Sequence, residues 1–234
     1  MTTLLRGAVP SPRHRLAAAT PHKVVVKPPT QFIVIPKQLS MWGNDTYGDC
    51  VSAEEAFAKA CHVPEIFISQ AEVIQWAKQN GFLNGADLIS VLDAMETSGF
   101  TQSKSLCDDG PSTSVDWTNP EQLHSAISQG PVKIGIAADQ LETVCNAAPL
   151  FPSNGWIARG FQADSNEDHC VSLCGYGTIG WLASELKTPV PSHVDRATLA
   201  YAMFTWSSIG IIDGASMRAI THEAWLRNPT TIIK

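Results

Sequence analysis

No stretch of the 234-residue sequence approaches the roughly 18 consecutive apolar residues that a membrane span needs, and the N-terminus has no apolar core of signal-peptide length. The expectation is a globular, cytoplasmic protein with no membrane partner. Charge is also scarce. Only 16% of residues are charged against 44% hydrophobic, which is enough apolar material for one sizeable core or two small lobes sharing a cleft. No internal repeat is visible. Acid is absent from residues 1 to 44, which hold six Lys/Arg, although the whole chain has a net charge of −6. A basic arm therefore precedes an acidic body. Such an arm suits an acidic surface, nucleic acid or a transit peptide, but the acidic body argues against nucleic acid as the main partner. The simplest reading is a Pro-rich extension over residues 1–37 (Pro10, Pro12, Pro21, Pro28, Pro29, Pro36) that packs over the body or stays mobile.

The six cysteines (Cys50, Cys61, Cys107, Cys145, Cys170, Cys174) could form three disulfides in a secreted protein, but a chain of this length needs no such staples, and reduced thiols are expected. Cys170 and Cys174 share a face of an expected strand. No second Cys/His pair stands near them at ligand spacing, so neither a metal site nor a cofactor is expected.

Phe32 to Ile35, bounded by Pro29 and Pro36, reads as a short extended segment at an edge. Turn residues Gly43-Asn44-Asp45 and Tyr47-Gly48-Asp49 lead into Val51 to Ala60, which is rich in helix formers with Ala53, Ala56, Phe57 and Ala60 on one side. Further helices are expected over about Glu65 to Lys78, about Ala86 to Thr97, and from Asn119-Pro120-Glu121 to Gly130. Val132 to Ala137, Val171 to Tyr176 and Leu199 to Trp206 read as strands. A helical first half and a sheet-forming second half define an α+β protein whose two lobes meet at a cleft.

Cys50 thus sits where a loop becomes a helix, and a helix N-terminus favours thiolate. His169, opening the strand in Asp168-His169-Cys170-Val171, is the best-placed imidazole to take the thiol proton. Taken singly, Cys50 is as well explained as a packing thiol and His169 as a structural histidine. The remaining histidines His62, His124, His193 and His222 have no partner at a meaningful spacing and default to surface or capping roles. Tryptophans such as Trp76, Trp117 and Trp225 default to packing.

Several segments in one order resemble the papain-like cysteine peptidases. Trp42-Gly43-Asn44-Asp45-Thr46-Tyr47-Gly48-Asp49-Cys50 is similar to the family segment in which an oxyanion-hole glutamine precedes the catalytic cysteine by six residues, and Asn44 fills that slot. Asn84-Gly85-Ala86 resembles the Asn-Gly-Gly turn whose backbone lines the substrate cleft, and Gly130-Pro131-Val132 resembles the Gly-Pro-Val opening a core strand. Asp168 to Gly177 resembles the Asp-His-Ala-Val run ending in Gly-Tyr-Gly, whose histidine is the catalytic base. The chain also resembles a bacterial or phage-type subgroup with an Asn-Asp-x-Tyr-Gly-Asp-Cys segment and a Thr-Trp ending. The resemblance implies a helical lobe over about residues 38–118 and an antiparallel, barrel-like sheet lobe over about 119–234. Its implied catalytic residues are Cys50, His169 and Asn44, its substrate-binding residues Asn84, Gly85 and Trp206, and its substrate a peptide or other amide.

The chain also departs from that pattern. Asn44 is shorter than glutamine, Val51 replaces the tryptophan after the nucleophile, and Phe204-Thr205-Trp206-Ser207 stands for Asn-Ser-Trp-Gly, so Thr205 takes the place of the asparagine that orients the imidazole. Tyr47 replaces a disulfide cysteine, in keeping with a reducing location, and no recognisable inhibitory propeptide precedes the body. These departures leave open a catalytically inactive binding or structural protein on the same scaffold, or a redox or metal-binding thiol. The leading expectation is a thiol-dependent hydrolase or acyl-transfer enzyme working through a Cys50–His169 dyad.

Overall fold

The computed structural model describes residues 4–148 and 155–228 and the backbone of 231–233. Its first half carries α1 (Arg13–Ala18), β1 (Phe32–Ile33), α2 (Cys50–Ala60), α3 (Gln70–Asn80), α4 (Leu88–Thr97), β2 (Phe100–Gln102), β3 (Ser105–Asp108) and β4 (Ser112–Ser114). The second half carries α5 (Pro120–Ile127), β5 (Val132–Ile136), α6 (Asp139–Ala147), β6 (Ile157–Ala158), β7 (His169–Thr178) and α7 (Ile179–Glu185). It closes with β8 (Leu199–Thr205), β9 (Ser208–Asp213), α8 (Gly214–Ile220), β10 (Thr221–Arg227) and β11 (Thr231–Ile233). The main sheet runs β4-β10-β5-β7-β8-β9-β6, with β1 pairing the far half of β7, while β11-β3-β2 form a small second sheet. Pairing in the main sheet is antiparallel except between β6 and β9.

Alternation along β7 and β8 divides the core. Cys170, Cys174, Ala202 and Phe204 face the helices of the first half, whereas Val171, Leu173 and Met203 pack on the other side with Leu123, Ile134 and Met217. Phe57 of α2 stacks on Phe204 with ring centroids 4.0 Å apart, so the central helix lies directly on the sheet. All six cysteines are free and buried, as their expected reduced state requires.

Two helices begin later than the sequence suggests. Glu65 is drawn out of the expected α3 because its carboxylate accepts the backbone N–H groups of Lys37 and Gln38, and Ser69 becomes the cap by accepting the Glu72 N–H at 3.2 Å. Likewise Ala86 stays extended and Asp87 caps α4, accepting the Ser90 N–H at 2.9 Å. His124 is no surface or capping residue: its ring stacks on Tyr176 at 3.9 Å, and burial lowers its pKa to about 4.

The largest difference concerns α2. The sequence shows one apolar side, yet every residue from Cys50 to Ala60 is buried, including Glu54, Glu55 and Lys59. Glu55 and Lys59 meet charged partners from distant elements, while burial pushes the Glu54 carboxyl well above the usual carboxylate range. Lys59 pairs with Asp109, and Glu55 pairs with both Lys133 of β5 and Arg227 of β10, the latter through an Nε–Oε2 contact of 2.7 Å. Lys133 also donates to the Val51 carbonyl at 3.1 Å. Burial alone would raise the Glu55 carboxyl, but Arg227 and Lys133 hold it down at about 2. This cluster fixes the helix that carries Cys50 to the sheet that carries His169.

Candidate active site

Cys50 is the first residue of α2 and His169 the first of β7. The Cys50 sulfur lies against the backbone N–H of Cys170, next to His169, so the helix start and the strand start come together. His169 Nε2 lies 2.9 Å from Thr205 Oγ1 at the end of β8, and its Nδ1 is buried without a partner. Trp206 covers the imidazole, ring centroids 4.2 Å apart and planes 14° from parallel. The tight turn between β8 and β9 gives Trp206 that position, at φ 42 for Trp206 and φ 62 for Ser207. A tryptophan in the left-handed region carries backbone strain of about 1–3 kcal/mol, which the paired strands on either side sustain.

Asn44 is buried six residues ahead of Cys50, and its amide donates to the Tyr47 carbonyl at 3.2 Å, within its own loop. The loop turns at Gly43, whose φ of +105 and closeness to Asp49 (an added Cβ would lie 2.5 Å from Oδ2) leave room for no other residue. Asp49, just before the helix, has both carboxylate oxygens buried without a partner, and burial lifts its pKa to about 7. Asn84 is exposed, while Gly85 and Ala86 line the cleft wall.

The basic arm, which sequence reasoning left as packed or mobile, runs through this cleft. The Leu5 carbonyl accepts the Trp206 indole N–H at 3.0 Å, and the Gly7 N–H bonds the Cys50 sulfur. Ala86 and the arm exchange two bonds, Ala86 N–H to the Gly7 carbonyl at 2.9 Å and Val9 N–H to the Ala86 carbonyl at 3.1 Å. The Ala8 N–H reaches the Asp168 carbonyl at 3.2 Å, and the Ser11 N–H reaches Glu223 at 3.1 Å. Two of the arm's three arginines find carboxylates: Arg6 pairs with Asp139, Glu142 and Asp168, and Arg15 with Asp93. Gly7 permits the approach. A Cβ there would stand 1.8 Å from the Gly48 carbonyl oxygen, and one on Gly85 would stand 2.7 Å from the Gly7 carbonyl oxygen. Arg6, Gly7, Asp139 and Glu142 were not singled out from the sequence. Their only trace there is the contrast between basic arm and acidic body.

With the arm in place, Cys50 and His169 are each only 1% exposed. Burial pushes the Cys50 thiol up to about 12, against the backbone bonds from Cys170 and Gly7 and reinforced by Glu54 and Asp49. Burial, helped by the Arg6 charge, lowers the His169 pKa to about 3. The resting pair is therefore a neutral thiol and a neutral imidazole rather than an ion pair. Among the described residues no group of His, Cys, Asp or Glu is arranged to hold a metal ion, and no helix is long and apolar enough to cross a membrane.

No family model and no curated protein matches the chain. Solved structures do. Xylellain, a cysteine protease from Xylella fastidiosa, superposes with a TM-score of 0.62 at 13% identity over 97% of each chain. The proform of the ragweed pollen cysteine protease Amb a 11 gives 0.60 at 12% identity over 92% of this chain and 72% of that one. Procathepsin L 3 of the Tenebrio molitor larval midgut gives 0.53 at 14% identity over 90% and 73%. The chain has the papain-like fold, a helical lobe and a sheet lobe around a cleft, and at these identities the likeness concerns the fold alone.

Proposed function

We propose that the protein is a thiol-dependent hydrolase or acyl-transfer enzyme acting on an amide bond through Cys50 and His169, and that residues 5–9 hold it in a closed, latent form. The observation that supports this reading is the buried imidazole with one nitrogen on the Thr205 hydroxyl and the other unpartnered, beside a cysteine at a helix N-terminus. With Thr205 Oγ1 accepting from Nε2–H, the proton sits on Nε2 and Nδ1 is left basic. Thr205 thereby does by hydroxyl what an amide would do, and Trp206 shields the contact from water.

Once the arm is displaced, Nδ1 takes the Cys50 proton as the sulfur attacks the amide carbonyl. The oxyanion that forms is stabilised by the Cys50 backbone N–H and, after a small shift, by the Asn44 amide, which has a second N–H to offer. The imidazolium then gives its proton to the leaving amine, the C–N bond breaks, and a thioester remains for water or another nucleophile to attack. The test uses Gly7→Val, in which a branched side chain expels the segment from the cleft. That chain should hydrolyse members of an internally quenched peptide library, and Cys50→Ala or His169→Ala in the same background should abolish turnover. Turnover unchanged by Cys50→Ala would sink the assignment. An open chain that binds peptides but turns over none would identify a binding protein on this scaffold.

A further inference from the structure

We infer that the site takes substrates carrying an arginine or lysine side chain on the leaving-group side of the scissile bond, read by Asp139, Glu142 and Asp168. This rests on the roles proposed above for Cys50 and His169. Residues 5–9 of the arm lie along the cleft in the direction opposite to a substrate, with the Leu5 carbonyl held by Trp206, Gly7 beside Cys50 and Val9 on Ala86, so that Arg6 reports which side-chain chemistry the imidazole's side accepts and not the direction of the chain. Position along that segment can be referred to the chemistry. His169 must protonate the leaving amine, so the departing half of a substrate lies on the imidazole's side of Cys50, whereas Gly85 and Ala86 form the opposite wall. Trp206 stacks on His169, and Asp168 precedes it in the chain. Arg6 belongs to the imidazole's side, between the Trp206 contact at Leu5 and the Cys50 contact at Gly7.

The guanidinium of Arg6 is gripped there by three carboxylates from two elements. It donates to Asp168 Oδ2 at 2.6 Å and also to Asp139 and Glu142, which form the first turn of α6. The Asp168 carboxylate is itself fixed, accepting the Ala138 backbone N–H on its other oxygen at 3.0 Å. A planar guanidinium is matched by such paired acceptors, and an ammonium satisfies fewer of them, so arginine should be preferred to lysine. Asp139 is 68% exposed, against 30% for Glu142 and 23% for Asp168, so the two less exposed carboxylates contribute most. The buried, unpartnered Nδ1 of His169 marks the neighbouring position as one built to receive a reacting group rather than as a packed core.

The test measures binding, which requires no turnover. The full chain carrying Arg6→Ala and Gly7→Val, so that its own arm neither fills the cleft nor reaches the carboxylates, is titrated against a fluorescein-labelled octapeptide of the arm sequence, Leu-Leu-Arg-Gly-Ala-Val-Pro-Ser. A second titration uses the same peptide with alanine for arginine. The arginine peptide should bind at least about tenfold more tightly by anisotropy, and the difference should collapse when Glu142→Gln and Asp168→Asn are added. Equal binding of the two peptides, or a preference that survives neutralisation of the carboxylates, would overturn the inference. Failure of the hydrolase reading would show separately, as an arginine preference in binding with no Cys50-dependent cleavage of quenched peptides bearing arginine after the scissile bond.

Discussion

Two clusters of ion pairs tie this molecule together, and they differ in the property that decides what an ion pair does. Beneath α2, Glu55 and Lys133 are wholly shielded from solvent, and Arg227 and the Lys59–Asp109 pair are nearly so. At the cleft mouth the carboxylates around Arg6 range from 23% to 68% exposed. Removing one partner from the first cluster strands a charge in the core, whereas removing one from the second returns a charge to water. The buried cluster is thus a permanent joint between the helix of Cys50 and the sheet of His169. The exposed one joins the arm to α6 and Asp168, and its loss should leave the fold intact.

That contrast can be broken from either side. Lys133→Ala should have the largest effect, about 3–5 kcal/mol of lost stability in denaturant unfolding, because Glu55 keeps only part of its compensation. At the site itself, Thr205→Val leaves the Nε2–H of a buried imidazole without an acceptor, costing about 1–3 kcal/mol of correct ring placement. Turnover by the opened chain should fall roughly tenfold to a hundredfold, with Thr205→Ser restoring most of it. Arg6→Ala should change global stability by less than about 1 kcal/mol, while the rate of Cys50 alkylation in that variant loses the salt sensitivity that the parent shows.

Protons give a further way to sharpen the comparison. Folding lowers the His169 pKa to about 3, so the unfolded or opened chain binds that proton more readily. The closed form therefore loses stability as pH falls from about 6.5 toward 3. Glu167 behaves oppositely: burial and the neighbouring Glu223, which holds the Ser11 N–H of the arm, raise its pKa to about 9. The closed chain binds that proton more tightly, and stability declines as pH rises from the ordinary carboxyl range toward 9. Hydrogen exchange of the Ala86 amide, which bonds the Gly7 carbonyl, should accordingly show its greatest protection at intermediate pH, once corrected for intrinsic rates.

The elements expected from the sequence appear in their expected order because local chemistry dictates them, whereas α1, α6, α7, α8 and strands such as β9 and β10 were not anticipated. Pro120 behind Asn119 opens α5, and alternation across Cys170 to Cys174 marks a strand with two buried faces. Cys50 at a loop-to-helix junction, His169 opening β7 and Thr205 ending β8 were likewise readable as candidates. Their convergence was implied by the family resemblance and not by local chemistry, since register and sheet order bring them together. The burial of Glu55 and Lys59 was not legible because their partners Asp109, Lys133 and Arg227 lie far along the chain. The arm's course was illegible for the same reason. Gly7 reads locally as an ordinary flexible residue, and only its encounters with Gly48 and Gly85 show why no side chain fits there.

The central claim, a Cys50–His169 pair masked by the chain's own arm, is tested most directly by the pH dependence of Cys50 alkylation with iodoacetamide in the parent, in Gly7→Val, and in Gly7→Val with His169→Ala. The account predicts a parent thiol that resists alkylation through neutral pH. The Gly7→Val thiol should react well below the ordinary thiol pKa of about 8.5, and the added His169→Ala should abolish that acidic limb. A Gly7→Val chain whose Cys50 titrates as an ordinary thiol, indifferent to His169, would contradict it.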